Sequence, residues 1–331
     1  MTDKVDVNVE DALRSAIASV VNGPATRQLN NASRELSQRY RSQRTGGRLV
    51  QTDAEVEAYA AARLPATFAA LTHVFTVAAS LLPTFAPASL LDLGAGTGAA
   101  AWAAAVTWPD INKVTLMEND ARMIRLGRRL HVADPRPGSP VAWQWQQDDV
   151  TQGNYEPHDL VTASYALGEL ERESAISIAH SAWQATSGIL VIIEPGTMSG
   201  FALMRQIRRV LIENGASLLA PCPHDRECPI IENDWCHFAA RVPRSTLHRQ
   251  LKGGQLAYED EKFSYLAFTR TPAPRAPARV LRHPLYPPRQ VHFVACTGTG
   301  IRNINISKSN PDFKPAKKLG WGDALPEEVL R

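Results

Sequence analysis

The chain has 331 residues, of which 44% are hydrophobic and 21% charged, so it can bury a large core and is neither a disordered tail nor a disulfide mini-protein. Its 36 basic and 33 acidic side chains leave a formal charge of +3, which neither requires nor excludes a polyanionic partner. The charge is local: residues 271–331 carry 10 Lys and Arg against 4 Asp and Glu, which puts the basic character in the tail.

The first residues mix both signs without an apolar stretch ahead of a small-residue cleavage site, so no signal peptide and a cytoplasmic location are expected. Residues 9–21 and 27–41 have helical periodicity, with Leu29, Ala32, Leu36 and Tyr40 three or four apart. Gly46-Gly47 breaks the pattern, and it resumes over 52–82 with a kink expected near Pro65. The apolar stretch from Phe68 to Phe85 is interrupted by His73 and Pro83, which predicts a buried helix and no membrane span. Residues 1–87 thus read as a helical N-terminal module. Its Arg27, Arg34, Arg39, Arg41, Arg44 and Arg48 are either an RNA-facing cluster or an ordinary solvated face.

From Ser89 the pattern alternates short apolar strands (89–94, 113–119, 141–150, 158–167, 188–195) with helices, which predicts a parallel sheet covered on both faces over 88–220. Asp92-Leu93-Gly94-Ala95-Gly96-Thr97-Gly98 follows the first strand and opens a helix, where only glycine lets the backbone turn tightly against a ligand. Glu118 ends the second strand, 20 residues after Gly98, where a carboxylate can accept both ribose hydroxyls of a nucleoside. Such a turn serves dinucleotide and S-adenosylmethionine sites alike. The Asp before the first Gly, Glu118-Asn119-Asp120 and Asp148-Asp149-Val150 resemble the class I S-adenosylmethionine-dependent methyltransferase pattern. Asp92, Gly94, Ala95, Gly96, Gly98, Glu118, Asp148 or Asp149, and Ser164 are its cofactor-binding candidates. No catalytic residue declares itself: the segment Ser164–Leu170 lacks the N-P-P-Y type of tetrad, and no Cys stands as a nucleophile. Tyr165, Glu169 and Glu194 are rim groups, read as structural or cofactor-lining before catalytic.

Residues 221–331 hold all four cysteines, predicted strands at 255–260 and 263–270, six prolines between 272 and 288, and final predicted strands at 291–298 and 301–309. Antiparallel pairing or a small barrel suits the last strands. Cys222, Cys228, Cys236 and distant Cys296 lie in a Pro-rich setting and could converge on tetrahedral zinc or a [4Fe-4S] cube, or pack as small core side chains. His224 or His237 could replace one ligand or hydrogen-bond nearby.

Taken together, S-L-L-D-L-G-A-G-T-G at 89–98, S-Y-A-L-G-E-L at 164–170, E-P-G-T at 194–197, A-P-C-P-H at 220–224, C-P at 228–229, W-C-H-F at 235–238 and W-G-D at 321–323 resemble the methyltransferase-like small-ribosomal-subunit protein family. Its mitochondrial members act in small-subunit assembly. The resemblance implies an α/β, Rossmann-like class I methyltransferase domain with a helical N-terminal module and a small metal-bound β-rich C-terminal appendage. It implies S-adenosylmethionine, a [4Fe-4S] cluster on Cys222, Cys228, Cys236 and Cys296, and contact with the small ribosomal subunit and its 16S-type rRNA by a chain monomeric off the ribosome. Arg302, Lys308, Lys314, Lys317, Lys318 and Trp321 are the RNA-binding candidates, the cations for phosphates and the ring for stacking. Three functions follow: an rRNA methyltransferase, a non-catalytic assembly factor with a vestigial or regulatory cofactor pocket, and a methyltransferase for a small molecule or protein.

Overall fold

The computed structural model describes residues 8–21, 26–42, 50–136, 142–231 and 233–330. Helices α1 (Val9–Val20) and α2 (Thr26–Ser42) stand where the periodicity predicts, with Leu29, Ala32 and Leu36 buried along one face. Asn8 starts α1 by accepting the Asp11 N–H at 2.9 Å. The kinked helix expected over 52–82 is two helices, α3 (Asp53–Ala62) and α4 (Leu64–Leu81), parted at Arg63. Pro65 forces the break, because a residue without N–H is tolerated only in a helix's first turn. α4 has the length and apolarity of a membrane span, and here Leu71, Val74, Phe75 and Ala78 are fully buried.

The α/β block follows: β1 (Ser89–Leu93), α5 (Ala99–Thr107), β2 (Lys113–Met117), α6 (Ala121–Val132), β3 (Trp143–Gln146), β4 (His158–Ser164), α7 (Arg172–Gln184), β5 (Thr186–Pro195), α8 (Met198–Glu213) and β6 (Ser217–Ala220). Beyond it lie β7 (Phe238–Pro243), α9 (Thr246–Lys252), β8 (Tyr258–Thr269), β9 (Ala278–Val280), β10 (Gln290–Thr297), β11 (Gly300–Ser307), α10 (Phe313–Ala316) and β12 (Ala324–Leu325).

The first sheet has the order β3-β2-β1-β4-β5-β8-β6, with β7 paired to the outer part of β8. β3 to β5 run parallel, and β8 enters antiparallel between β5 and β6, so strands from both sides of residue 220 build one sheet. β5 is buried on both faces, and its side chains alternate: Ile189, Val191 and Ile193 join the core under α4 and α5, while Leu190 and Ile192 join the core with Trp183 and Ile207 of α7 and α8. The Ala-rich α5 lies close on the sheet and buries Trp102 completely.

The two strands expected at 255–260 and 263–270 are one, β8. Its first half pairs with β7 and is partly exposed, and its second half is buried between β5 and β6. The change from a run of charged residues to a buried, mostly apolar stretch marks where one strand enters the core, not a turn. The last strands form a second, antiparallel sheet in the order β11-β10-β9-β12 around Val280, Val291, Phe293 and Ile304.

Candidate functional site

The turn after β1 has the geometry that its glycines predict. Gly94, Gly96 and Gly98 sit at φ of 69°, 56° and 92°, in the left-handed region that glycine enters freely. A Cβ on Gly94 would also stand 2.5 Å from that of Ala166, and one on Gly98 2.8 Å from the Trp143 ring. The N–H groups of Gly94 and Ala95 donate to the Met117 carbonyl at 3.0 and 2.9 Å, which ties the turn to the end of β2.

Glu118 completes the clamp. One carboxylate oxygen accepts the Gly96 N–H at 2.8 Å and the other the Asp120 N–H at 2.8 Å. Burial pushes this carboxyl up, against the pull of those two N–H groups. Each oxygen keeps lone-pair capacity for a further donor.

Above the turn opens a cavity of about 330 Å³, which Gly94, Gly96, Glu118, Asp148, Asp149 and Ser164 line together. Three other sequence candidates lie off its wall. Asp92 is buried beneath the turn, where it accepts the Thr162 hydroxyl at 2.7 Å and burial pushes its carboxyl up to about 7. Ala95 is buried in the helical core, and Gly98 caps α5 against Trp143. Asp148 accepts the Gln152 side chain at 3.0 Å, and Asp149 caps the turn at Val150–Gln152 by accepting the Thr151 N–H at 2.8 Å.

The rim after β4 is under constraint. Tyr165 has φ of 56°, uncommon for an aromatic residue, and its hydroxyl donates across to Glu261 of β8 at 3.1 Å. Glu194 accepts the N–H groups of Leu167 and Gly168 at 3.0 and 3.1 Å, and burial still pushes it up to about 7. Glu169 lines the cavity, and burial, helped by the Glu194 and Glu118 charges, pushes it up to about 8. Sequence reasoning missed Tyr59 of α3 and Val50, which line the same cavity from the N-terminal module. Nothing in the spacing of a helix 35 residues before Gly94 could have flagged them.

The family model for the mitochondrial small ribosomal subunit protein Rsm22 matches residues 53–326, from α3 through the second sheet. The chain belongs to the Rsm22 family. Human mitochondrial ribosome assembly protein METTL17 is 27% identical over 287 residues, 81% of this chain and 62% of that protein. The Rsm22-cox11 tandem protein 2 of Schizosaccharomyces pombe is 26% identical over 84% of this chain. The Rsm22-family chain thus spans 62% and 44% of the length of these relatives. Among solved structures, magnesium protoporphyrin IX methyltransferase from Synechocystis with bound S-adenosylmethionine aligns with a TM-score of 0.42 at 12% identity, covering 71% of this chain and 91% of that one.

Two expectations for this Rsm22-family chain are overturned. Both of these relatives are mitochondrial proteins by name, against the cytoplasmic location read from the N-terminus. The metal-bound C-terminal appendage, whether [4Fe-4S] or zinc, also gives way. Cys222, Cys228, Cys236 and Cys296 line one cavity of about 40 Å³. Yet among the described residues no three His, Cys, Asp or Glu side chains form a group that could hold a metal ion.

The thiols sit as core side chains do: with no ion beside them, burial pushes Cys222, Cys236 and Cys296 up, Cys296 to about 12, which favours their protonated form. Cys228, Cys236 and Cys296 pack as apolar side chains beside Phe201, Ile230 and Leu281. His237 stacks on Trp235 with ring centres 5.1 Å apart, and His224 Nε2 is 3.9 Å from the Cys296 sulfur. Buried Arg279 ties the second sheet to the cysteine loop: it donates to the Pro221 carbonyl at 3.1 Å and the Gly322 carbonyl at 2.9 Å.

Arg302, Lys308, Lys314, Lys317 and Lys318 of the tail are exposed. Trp321 is half-buried, with its ring edge-on to His237 and His283 at 4.7 and 4.9 Å. In the N-terminal module Arg27 and Arg34 are exposed and Arg39 is paired with Glu55. The Arg41 side chain, Arg44 and Arg48 lie outside the described residues.

Proposed function

We propose that this chain serves small-ribosomal-subunit biogenesis by binding S-adenosylmethionine in the cavity over the glycine turn and small-subunit rRNA through its basic tail. The observation that carries the reading is the convergence of Gly94, Gly96, Glu118, Asp148, Asp149 and Ser164 on one cavity. It lies at the C-terminal ends of β1, β2 and β4, where open α/β sheets take their ligands. Its volume of about 330 Å³ is within the range of small-molecule sites. Gly94 and Gly96 let the ligand approach the backbone, Glu118 takes ribose hydroxyls, and Asp148 or Asp149 lies by the adenine. When bound, S-adenosylmethionine supplies an electrophilic methyl group on a sulfonium. Relationship to a protein named for ribosome assembly supports the ribosomal half, and five exposed cations in the tail supply phosphate contacts.

A second reading, an assembly factor that binds the cofactor without turnover, is favoured by the rim after β4. Tyr165 and Glu194 are both engaged in internal hydrogen bonds, which leaves Glu169 as the rim acid whose carboxyl makes no hydrogen bond among the described residues. Calorimetric titration with S-adenosylmethionine tests the shared part: the chain binds, and Glu118→Ala weakens binding at least about tenfold, the loss of a charge-assisted hydrogen-bonding group. Absence of binding by the unaltered chain would remove both readings. Labelled methyl groups entering small-subunit rRNA, and lost with Glu118→Ala, then select the enzyme, whereas binding without label selects the assembly factor.

A further inference from the structure

The N-terminal helical module and the glycine turn are remote in sequence, and the structure makes them one site. Tyr59 of α3 lines the cavity with Gly94, Gly96 and Glu118. Its hydroxyl oxygen stands 3.7 Å from where a Cβ of Gly96 would be, directly over the turn. The Thr67 side chain on α4 stands beside that oxygen, and burial pushes the phenol up to about 12, so it keeps its hydrogen at neutral pH.

The module is also wired to the acidic loop of the cavity. Arg122 of α6 grips Asp120 with two bonds, of 3.0 and 2.7 Å, and with the same guanidinium donates to the Val50 carbonyl at 3.1 Å and to the Gln51 carbonyl. Val50 and Asp120 both line the cavity. The Gln51 and Thr52 N–H groups donate in turn to the buried Glu55 carboxylate at 2.6 and 3.1 Å, and Arg39 of α2 pairs with its other oxygen. Further out, Arg125 pairs with Asp53 at 2.9 Å and Arg129 with Glu57 at 3.4 Å. A continuous polar chain therefore runs from α2 through the start of α3 to the end of β2.

We propose that the N-terminal module is a working wall of the cofactor cavity: Tyr59 donates its hydroxyl hydrogen to the bound adenosyl amino acid, and the docking of α2 and α3 sets the affinity for that ligand. This rests on the cofactor reading above. Because the wall is built from a separate helical layer, a ligand that bridges Tyr59 and the glycine turn holds the two layers together, and loosening the module weakens the ligand by linkage.

The test uses the full chain and S-adenosylhomocysteine as probe, by calorimetry and by hydrogen exchange in α3. Tyr59→Phe keeps the ring and removes only the hydroxyl; its melting temperature should stay within about a degree while the dissociation constant rises about tenfold, one hydrogen bond's share. Arg39→Ala, away from the cavity, should weaken the probe severalfold and speed exchange across 53–62. The probe itself should slow that exchange in the unaltered chain. If the unaltered chain binds and Tyr59→Phe binds equally well, with α3 exchange indifferent to the probe, the wall is passive and the inference fails while the cofactor reading stands. No binding by the unaltered chain would fell the cofactor reading first.

Discussion

Glu169 is the residue at which the cavity's electrostatics are most exposed to test. Its carboxyl rises from 4.5 to about 8 on folding because burial and the neighbouring Glu194 and Glu118 disfavour its charge. The folded state therefore holds a proton that the unfolded state has released, and between roughly those two values stability falls as pH rises. The contribution is fully present below 4.5, diminishes through the window, and is gone above 8. Asp92 and Glu194, each pushed up to about 7, act in the same direction. Glu169→Gln should therefore melt at a higher temperature than the unaltered protein at pH 8.5 and at nearly the same temperature near pH 5. Melting curves across pH 5–9 decide this, and a difference that does not grow with pH would mean that Glu169 titrates normally. The glycine turn offers a second residue-scale test. Gly94→Ala combines a left-handed φ with a Cβ 2.5 Å from Ala166, so it should lose ligand binding and lower the melting temperature together.

Among elements, α3 has the most to do. The Thr52 hydroxyl accepts the Glu55 N–H at 3.2 Å while the Glu55 carboxylate accepts the Thr52 N–H at 3.1 Å, a reciprocal cap on the helix that carries Tyr59. Thr52→Ala should destabilise the protein by about 1 kcal/mol, and denaturant unfolding measures that directly. Hydrogen exchange should show the loss concentrated at 51–59. Uniform loss across the sheet would mean that the cap stabilises the fold generally and not this helix. T-x-x-E at 52–55 is readable in the sequence, but the helix's destination is not, because α3 meets α6 and the glycine turn only through tertiary contacts. β8 makes the same point: its charged and apolar halves look like two strands, and only pairing with β7 on one stretch and with β5 and β6 on another makes them one.

In the whole molecule, two sheets are joined where the four cysteines lie, and buried Arg279 does much of the joining. Arg279→Met should cost about 3 kcal/mol, the loss of charge-assisted bonds to two buried carbonyls, and limited proteolysis should then cut first between 270 and 290. Survival of that stretch would mean that packing around Leu281 suffices. At the tail, the double change Lys317→Glu and Lys318→Glu should weaken rRNA binding and flatten its dependence on salt, because fewer counterions are released. An unchanged slope in a filter-binding series would move the RNA contact away from Lys317 and Lys318.

The sequence by itself determined the alternation of strands and helices, the glycine turn with its distal Glu118, the basic tail and the family, because each rests on local sterics, short-range periodicity or a motif a few residues long. It also put all four cysteines after residue 220, and the fold brings them to one cavity. Only the tertiary structure decided whether they act as ligands or as core, since that depends on how far each sulfur is desolvated and what stands beside it. Likewise Asp92 and Asp149 look alike in the chain, and the fold buries one under the turn and sets the other on the cavity wall. Tyr59, Val50 and Arg279 carry no local signal at all. Their roles exist only because chain segments tens of residues apart pack together, and burial and hydrogen-bond geometry are properties of that packing.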